Sequence, residues 1–152
     1  MYAGVSWQCV EYARIYLKNT RHVTFASVDH AFEIYDLNCL EDLTASNSYA
    51  HFLSFKNGGQ TPPQVGDLLI SEETSEDSHG HVSVVAGVDI LNGFITVTEQ
   101  NYMNEAWEKP SAYARKIPLS SIVNFEFYIF DKPSVIGWKR VGEFRKSNAC
   151  PS

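Results

Sequence analysis

Cys9, His81 and Glu99 are the side chains in this sequence best suited to act together on an acyl group. A cysteine thiolate attacks a carbonyl carbon, an imidazole takes and returns the proton, and a carboxylate holds the imidazole in one tautomer. Cys9 follows Ser6-Trp7-Gln8 and is placed by the local pattern at the start of a helix, close to Trp7. Unpaired backbone N–H groups and the helix dipole favour a thiolate there. His81 comes directly after Gly80 and opens the run Val82-Ser83-Val84-Val85, so it is expected at a strand end beside a cleft. Glu99 closes the run Phe94 to Thr98 and is followed by Gln100-Asn101, either of which is an alternative orienter. A hairpin turn centred on Asn92-Gly93 would set Glu99 opposite Ala86, so a bulge, a stagger or a longer loop is required to bring Glu99 to His81.

The other candidates are weaker. Cys39 lies among apolar residues in Leu37-Asn38-Cys39-Leu40 and reads as core, while Cys150 reads as a dispensable thiol near the chain end. Three cysteines without C-x-x-C spacing argue against a zinc site and against a disulfide framework. His79 would share the face of His81 only if the strand extended back to it, and the intervening sequence is acidic. His22, His30 and His51 have no setting that suggests chemistry.

The elements that must position these residues follow from periodicity. Val10, Ala13, Ile15, Tyr16 and Leu17, with Glu11, Arg14 and Lys18 between them, predict an amphipathic first helix. A second helix is expected after Ser27, carrying Ala31, Phe32, Ile34 and Tyr35. From Ser46 to Gln64 the breakers Asn57-Gly58-Gly59 and Pro62-Pro63 interrupt any pattern. Strands are predicted over Gly66 to Ser71, His81 to Val88, Phe94 to Glu99, Phe125 to Phe130 and Val135 to Arg140, the second and third as an antiparallel pair. Ser71 to His79, with Glu72, Glu73, Glu76 and Asp77, reads as a solvated loop. Helices first and antiparallel strands after give an α+β class and disfavour a doubly wound dinucleotide fold.

The 152 residues fit one domain spanning 1–152, and 44% hydrophobic content is enough for a core. Twelve Lys and Arg against eighteen Asp and Glu leave a formal charge of -6, which disfavours nucleic-acid binding. No apolar run reaches the ~20 residues needed to span a bilayer, and no export signal opens the chain, so a soluble, cytoplasmic protein without membrane partners is expected.

The order of a helix cysteine, a strand histidine and a strand-end polar residue resembles that of papain-like enzymes. The blocks Trp7-Gln8-Cys9-Val10-Glu11-Tyr12-Ala13-Arg14, Gly80-His81-Val82 and Glu99-Gln100-Asn101 resemble the signature blocks of the CHAP (cysteine, histidine-dependent amidohydrolase/peptidase) superfamily. They are similar in particular to the amidase domains that accompany glutathionylspermidine and trypanothione synthetases. Lesser echoes at Ala31 to Tyr35, Asn57-Gly58, Gly66 to Ile70 and Ile136 to Trp138 spread the likeness over most of the chain. The resemblance implies a papain-like cysteine hydrolase fold, with N-terminal helices packed on an antiparallel sheet. It implies Cys9 as nucleophile, His81 as acid and base, Glu99 as orienter, Gln8 as an oxyanion partner, and Arg14 and Asn101 as residues lining the site. The implied substrate is a glutathione–polyamine conjugate, and no metal or organic cofactor is implied.

Two departures qualify what is expected. Cys9 lies eight residues after Met1, where the family usually has several tens, which is the pattern of an N-terminally truncated chain or a reduced relative. The length also leaves no room for a synthetase domain, so hydrolysis rather than synthesis is expected. Competing readings are a CHAP peptidoglycan amidase or endopeptidase and a catalytically silent binding module.

Overall fold

The computed structural model describes residues 3–75, 78–101, 111–122, 125–147 and 150. Among them one α-helix, α1 (Ala3–Arg21), packs against a nine-stranded sheet. The strands are β1 (Val23–Thr24), β2 (Cys39–Asp42), β3 (Ser48–Lys56), β4 (Leu68–Ser71), β5 (His81–Asp89), β6 (Phe94–Asn101), β7 (Ser111–Ile122), β8 (Glu126–Ile129) and β9 (Val135–Lys146). Their spatial order is β1-β2-β3-β9-β4-β5-β6-β7-β8, and every adjacent pair is antiparallel. The α+β class with an antiparallel sheet is therefore as expected, but the helical share is smaller. In place of a second α-helix after Ser27 there is a short 3₁₀ helix, Ala31–Asp36. Glu33 Oε1 accepts the backbone N–H groups of Asp29 and His30 and fixes its start three residues later than predicted. The first half of the chain, read as helical, also supplies β1, β2 and β3.

Two cores divide the residues by sheet face. On α1, Cys9, Val10, Ala13 and Leu17 recur at helical spacing and are buried against Leu68, Ile70, Val82 and Val84. The opposite face buries Leu69, Val85, Ile95, Val97, Ile117, Leu119, Phe127, Ile129 and Trp138. That face is wrapped into a barrel, because the turn after β3 returns to the far edge of the sheet. Gly58 N donates to Phe127 O at 2.7 Å and Phe127 N to Gly59 O at 2.8 Å. Asn57 secures the seam, donating to the carbonyls of Ile129 and Val135 and accepting from Ile129 N–H. Closure hides an edge that would otherwise offer unpaired backbone groups.

Lys139 is fully buried where the 3₁₀ helix meets β3 and β9, and its Nζ donates to Leu37 O, Phe52 O and Ser54 Oγ. Burial lowers its pKa to about 8, against an upward pull from Asp36. Satisfied in this way, the ammonium ties the segment before β2 to the sheet.

The readings of Cys39 and Cys150 are overturned, since the two form a disulfide across a sequence separation of 111. Spacing gave no sign of it, because the pair depends on β9 running beside β3 and carrying the chain end back toward β2. Reduction, or Cys39→Ser, is expected to cost about 2–4 kcal/mol of stability by freeing the unfolded chain. The check is the urea midpoint with and without reductant, and an unchanged midpoint would contradict it. No helix among the described residues is long and apolar enough to cross a membrane.

Candidate active site

The described part of α1 begins at Ala3, four residues before the expected start at Trp7, so Cys9 is the seventh helical residue rather than a first-turn one. Dipole effects fade within the first turn, and the sulfur must therefore take its polarity from side chains. It does so at the contact of α1 with the sheet, where Cys9 is buried beside His81, the first residue of β5. Gly80 delivers His81 to that point. Its φ is +75°, and a Cβ there would meet Ser71 O at 2.7 Å and Phe32 Cβ at 3.1 Å, so only glycine suits the approach.

Glu99 reaches His81 by the device the hairpin arithmetic required. Asp89 pairs with Phe94 across a four-residue connection, and the register then slips by one between Val85 and Gly87, leaving a bulge at Ala86. Val84 pairs with Thr98 as a result, which brings Glu99 level with Ser83 and diagonal to His81 on the same face. His81 Nε2 and Glu99 Oε1 are 2.7 Å apart, with side-chain exposures of 13% and 4%. Since Glu99 occupies Nε2, Nδ1 is the ring nitrogen left to face Cys9, whose sulfur acts electrostatically on the ring.

The electrostatics follow from this crowding. Burial works against the imidazolium, but hydrogen bonds and charge from Cys9 and Glu99 outweigh it and raise the His81 pKa to about 10. Burial likewise opposes ionisation of Glu99, and bonds from His81 and Arg115 overcome it, lowering the carboxyl to about 2. The site is thus built to hold a protonated ring between a sulfur and a carboxylate.

Arg115 was missed by the sequence reading. Its Nε donates to Glu99 Oε2 at 2.6 Å, and its two terminal nitrogens reach both oxygens of Asp131 at 2.9 and 3.3 Å. The signal was present in phase: Arg115, Ile117 and Leu119 alternate along one face of β7, and a charge in an apolar phase calls for a partner.

The remaining expectations fare unequally. Gln8 is half-buried and adjoins Cys9 on α1. Arg14 lies five residues on, about 140° around the helix from Cys9. Its guanidinium is held by Phe25 O, Thr24 Oγ1 at 3.3 Å and Glu11 at 3.3 Å, and it covers the Phe25 ring at 4.1 Å. Those contacts brace α1 against the segment after β1 rather than joining Arg14 to His81 and Glu99. Asn101 ends β6, and its side chain lies outside the described residues, as do Glu76 and Asp77 of the acidic loop. Glu72 and Glu73 are exposed, as read. His79 does not extend β5; its Nδ1 faces His30 Nδ1 at 2.7 Å with the two rings stacked. Among the described residues no group of three or more His, Cys, Asp or Glu is placed to hold a metal ion.

Comparison with known proteins gives a consistent family. The profile described as CHAP domain matches residues 1–101. The glutathionylspermidine synthase of Crithidia fasciculata is 27% identical over 139 residues, covering 91% of this chain and 19% of that protein. The bifunctional glutathionylspermidine synthetase/amidase of Escherichia coli (strain K12) is 29% identical over 142 residues, covering 90% and 22%. The trypanothione synthetase of C. fasciculata is 26% identical over 117 residues, covering 77% and 18%. The chain therefore spans about a fifth of the length of these relatives.

Proposed function

Because the chain belongs to the CHAP domain family, we propose that it is a cysteine amidase of papain-like design, a single domain that hydrolyses the amide between glutathione and a polyamine. The observation that carries this reading is the His81 ring, set between the buried Cys9, which acts on it electrostatically, and the Glu99 carboxylate, which it meets at 2.7 Å. In the proposed reaction the Cys9 thiolate adds to the amide carbonyl, and the Cys9 S–C bond forms as the carbonyl electrons move to oxygen. Collapse breaks the C–N bond, and imidazolium His81 gives its proton to the leaving amine. Water, deprotonated by the now neutral His81, then cleaves the thioester to the free carboxylate and restores the ion pair.

The oxyanion needs donors. With α1 starting at Ala3, the backbone N–H of Cys9 lies beyond the first four of the helix and is spent on the helical ladder. Gln8 precedes Cys9 on α1 and carries a side-chain amide that can donate, and we assign it the oxyanion. Arg14 and Asn101 are proposed, on the family resemblance, as lining residues, Arg14 acting by holding α1 in place.

The substrate assignment is supported by the relative whose name carries the words synthetase/amidase and by the exposed Glu72 and Glu73 ahead of His81. A cationic amine drawn to exposed acids is screened beyond about 8 Å at physiological ionic strength. The expected result is faster turnover of glutathionylspermidine than of a muropeptide, with KM for the former rising with salt. Faster muropeptide cleavage without salt dependence would reverse the substrate assignment.

That second reading, a peptidoglycan amidase or endopeptidase, is favoured by one observation, the Cys39–Cys150 disulfide. Such bonds persist mainly in oxidising compartments, where a cell-wall enzyme works. It is the reason the muropeptide belongs in the comparison.

A further inference from the structure

We propose that Arg115, anchored by Asp131, is a positioning residue that fixes the Glu99 carboxylate and sets the pH at which Cys9 and His81 form their ion pair. This deepens the triad reading above and rests on it. The geometry supplies the argument. Both oxygens of Glu99 are held: Oε1 faces His81 Nε2 at 2.7 Å and Oε2 faces Arg115 Nε at 2.6 Å. With both oxygens held, the carboxylate cannot rotate without breaking a charged bond, so its plane and its distance to the ring are set together. Arg115 is itself held from behind by Asp131, whose two oxygens meet the fork of the guanidinium.

The elements make this a designed line rather than an isolated pair. Cys9 comes from α1, His81 from β5, Glu99 from β6, Arg115 from β7 and Asp131 from the segment after β8. His81 starts its strand and Glu99 lies near the end of its own, while Asp131 lies two residues past the end of β8, so the line crosses one end of the barrel from its helix side to its seam. At the seam Asp131 lines a cavity of about 590 Å³ together with Tyr128, Phe130, Lys132 and Ser134. The Arg115 side chain is 33% exposed and that of Glu99 4%, so a part-exposed cation reaches in to a dry carboxylate. A buried carboxylate between two cations is held ionised against the cost of its burial.

Removing one cation has a definite sign. Among the described residues the charged and titratable groups along this line are Cys9, His81, Glu99 and Asp131, with Lys132 beyond Asp131 at the cavity. Loss of the positive charge at Arg115 makes every proton in the cluster harder to remove, so the thiolate of Cys9 forms at higher pH. A residue that only braced β7 against β8 would leave that titration where it was.

The test is the ultraviolet absorbance of the thiolate against pH in the full chain, with the Cys9→Ala signal subtracted. Cys39 and Cys150 contribute nothing while joined. Arg115→Gln keeps a hydrogen-bond donor and removes the charge, and Arg115→Met removes both. In either, the midpoint for thiolate formation should rise by about one pH unit, kcat should fall more than KM changes, and Arg115→Lys should return the midpoint most of the way. An unmoved midpoint in a folded Arg115→Gln or Arg115→Met protein would overturn the proposal, and so would a shift that Arg115→Lys does not reverse. Because this titration needs no substrate, a wild-type protein that hydrolyses no amide would sink the amidase reading without touching the comparison.

Discussion

Cys9→Ala is expected to abolish amide hydrolysis, lowering kcat by about 10⁵-fold or more, as removal of a covalent nucleophile does elsewhere. The fold should survive the change. Alanine is the best helix former, and Cys9 sits inside α1, where its side chain fills only a small volume of the core shared with Leu68 and Val82. The measurement is steady-state hydrolysis beside a circular dichroism melt. Full turnover by a folded Cys9→Ala protein would rule out covalent catalysis at this residue.

The second large effect is expected at Glu99. Glu99→Gln should lower kcat by about 10²–10⁴-fold, the range for loss of the charged partner behind a catalytic histidine. It should also move the alkaline limb of the pH profile. The active form needs a protonated ring, so wild-type activity should decline as pH rises through the His81 pKa of about 10. Glu99 is one of the groups that raise that pKa. Neutralising it, with the Arg115 cation still in place, lowers the pH at which the imidazolium is lost, so the limb moves down. On the acid side the wild-type carboxylate stays ionised until pH approaches about 2. The observed values will belong to the coupled groups rather than to single residues. A Glu99→Gln profile superimposable on that of the wild type would remove Glu99 from the site.

The same pair fixes a stability window. His81 is raised above its ordinary value of 6.5, so its contribution is complete below that pH and is lost as pH climbs toward about 10. Glu99 is lowered from 4.5, so its contribution is complete above that pH and is lost as pH falls through about 2.

The residues of the candidate site were more legible than the scaffold that brings them together. Cys9 and His81 could be found from short blocks because the residue types are few and their neighbours are fixed by geometry, as Gly80 is by the approach of Ser71 and Phe32. Glu99 could be named, but its register could not, because the bulge at Ala86 has no composition of its own. β3 was obscured by the breakers that follow it, although Ala50 and Phe52 alternate inward. β7 was obscured by Pro118, which normally interrupts a ladder. Here it falls where β7 passes from pairing with β6 to pairing with β8, so a missing N–H costs little. With β7 unread, the alternation of Arg115 with Ile117 and Leu119 went unused, and the bond to Glu99 was missed with it. The Cys39–Cys150 bond was hidden for a related reason, since partners 111 residues apart meet only after the sheet order is known.

The central claim is that Cys9 carries the acyl group. It is tested most directly by mixing the protein with excess glutathionylspermidine, quenching in acid within the first turnovers and mapping the adduct by peptide mass spectrometry. The account predicts a glutathionyl thioester on the peptide that contains Cys9, formed with one equivalent of released spermidine per protein and absent from Cys9→Ala. Sustained hydrolysis without any adduct on Cys9, in a quench shown to preserve thioesters, would contradict it.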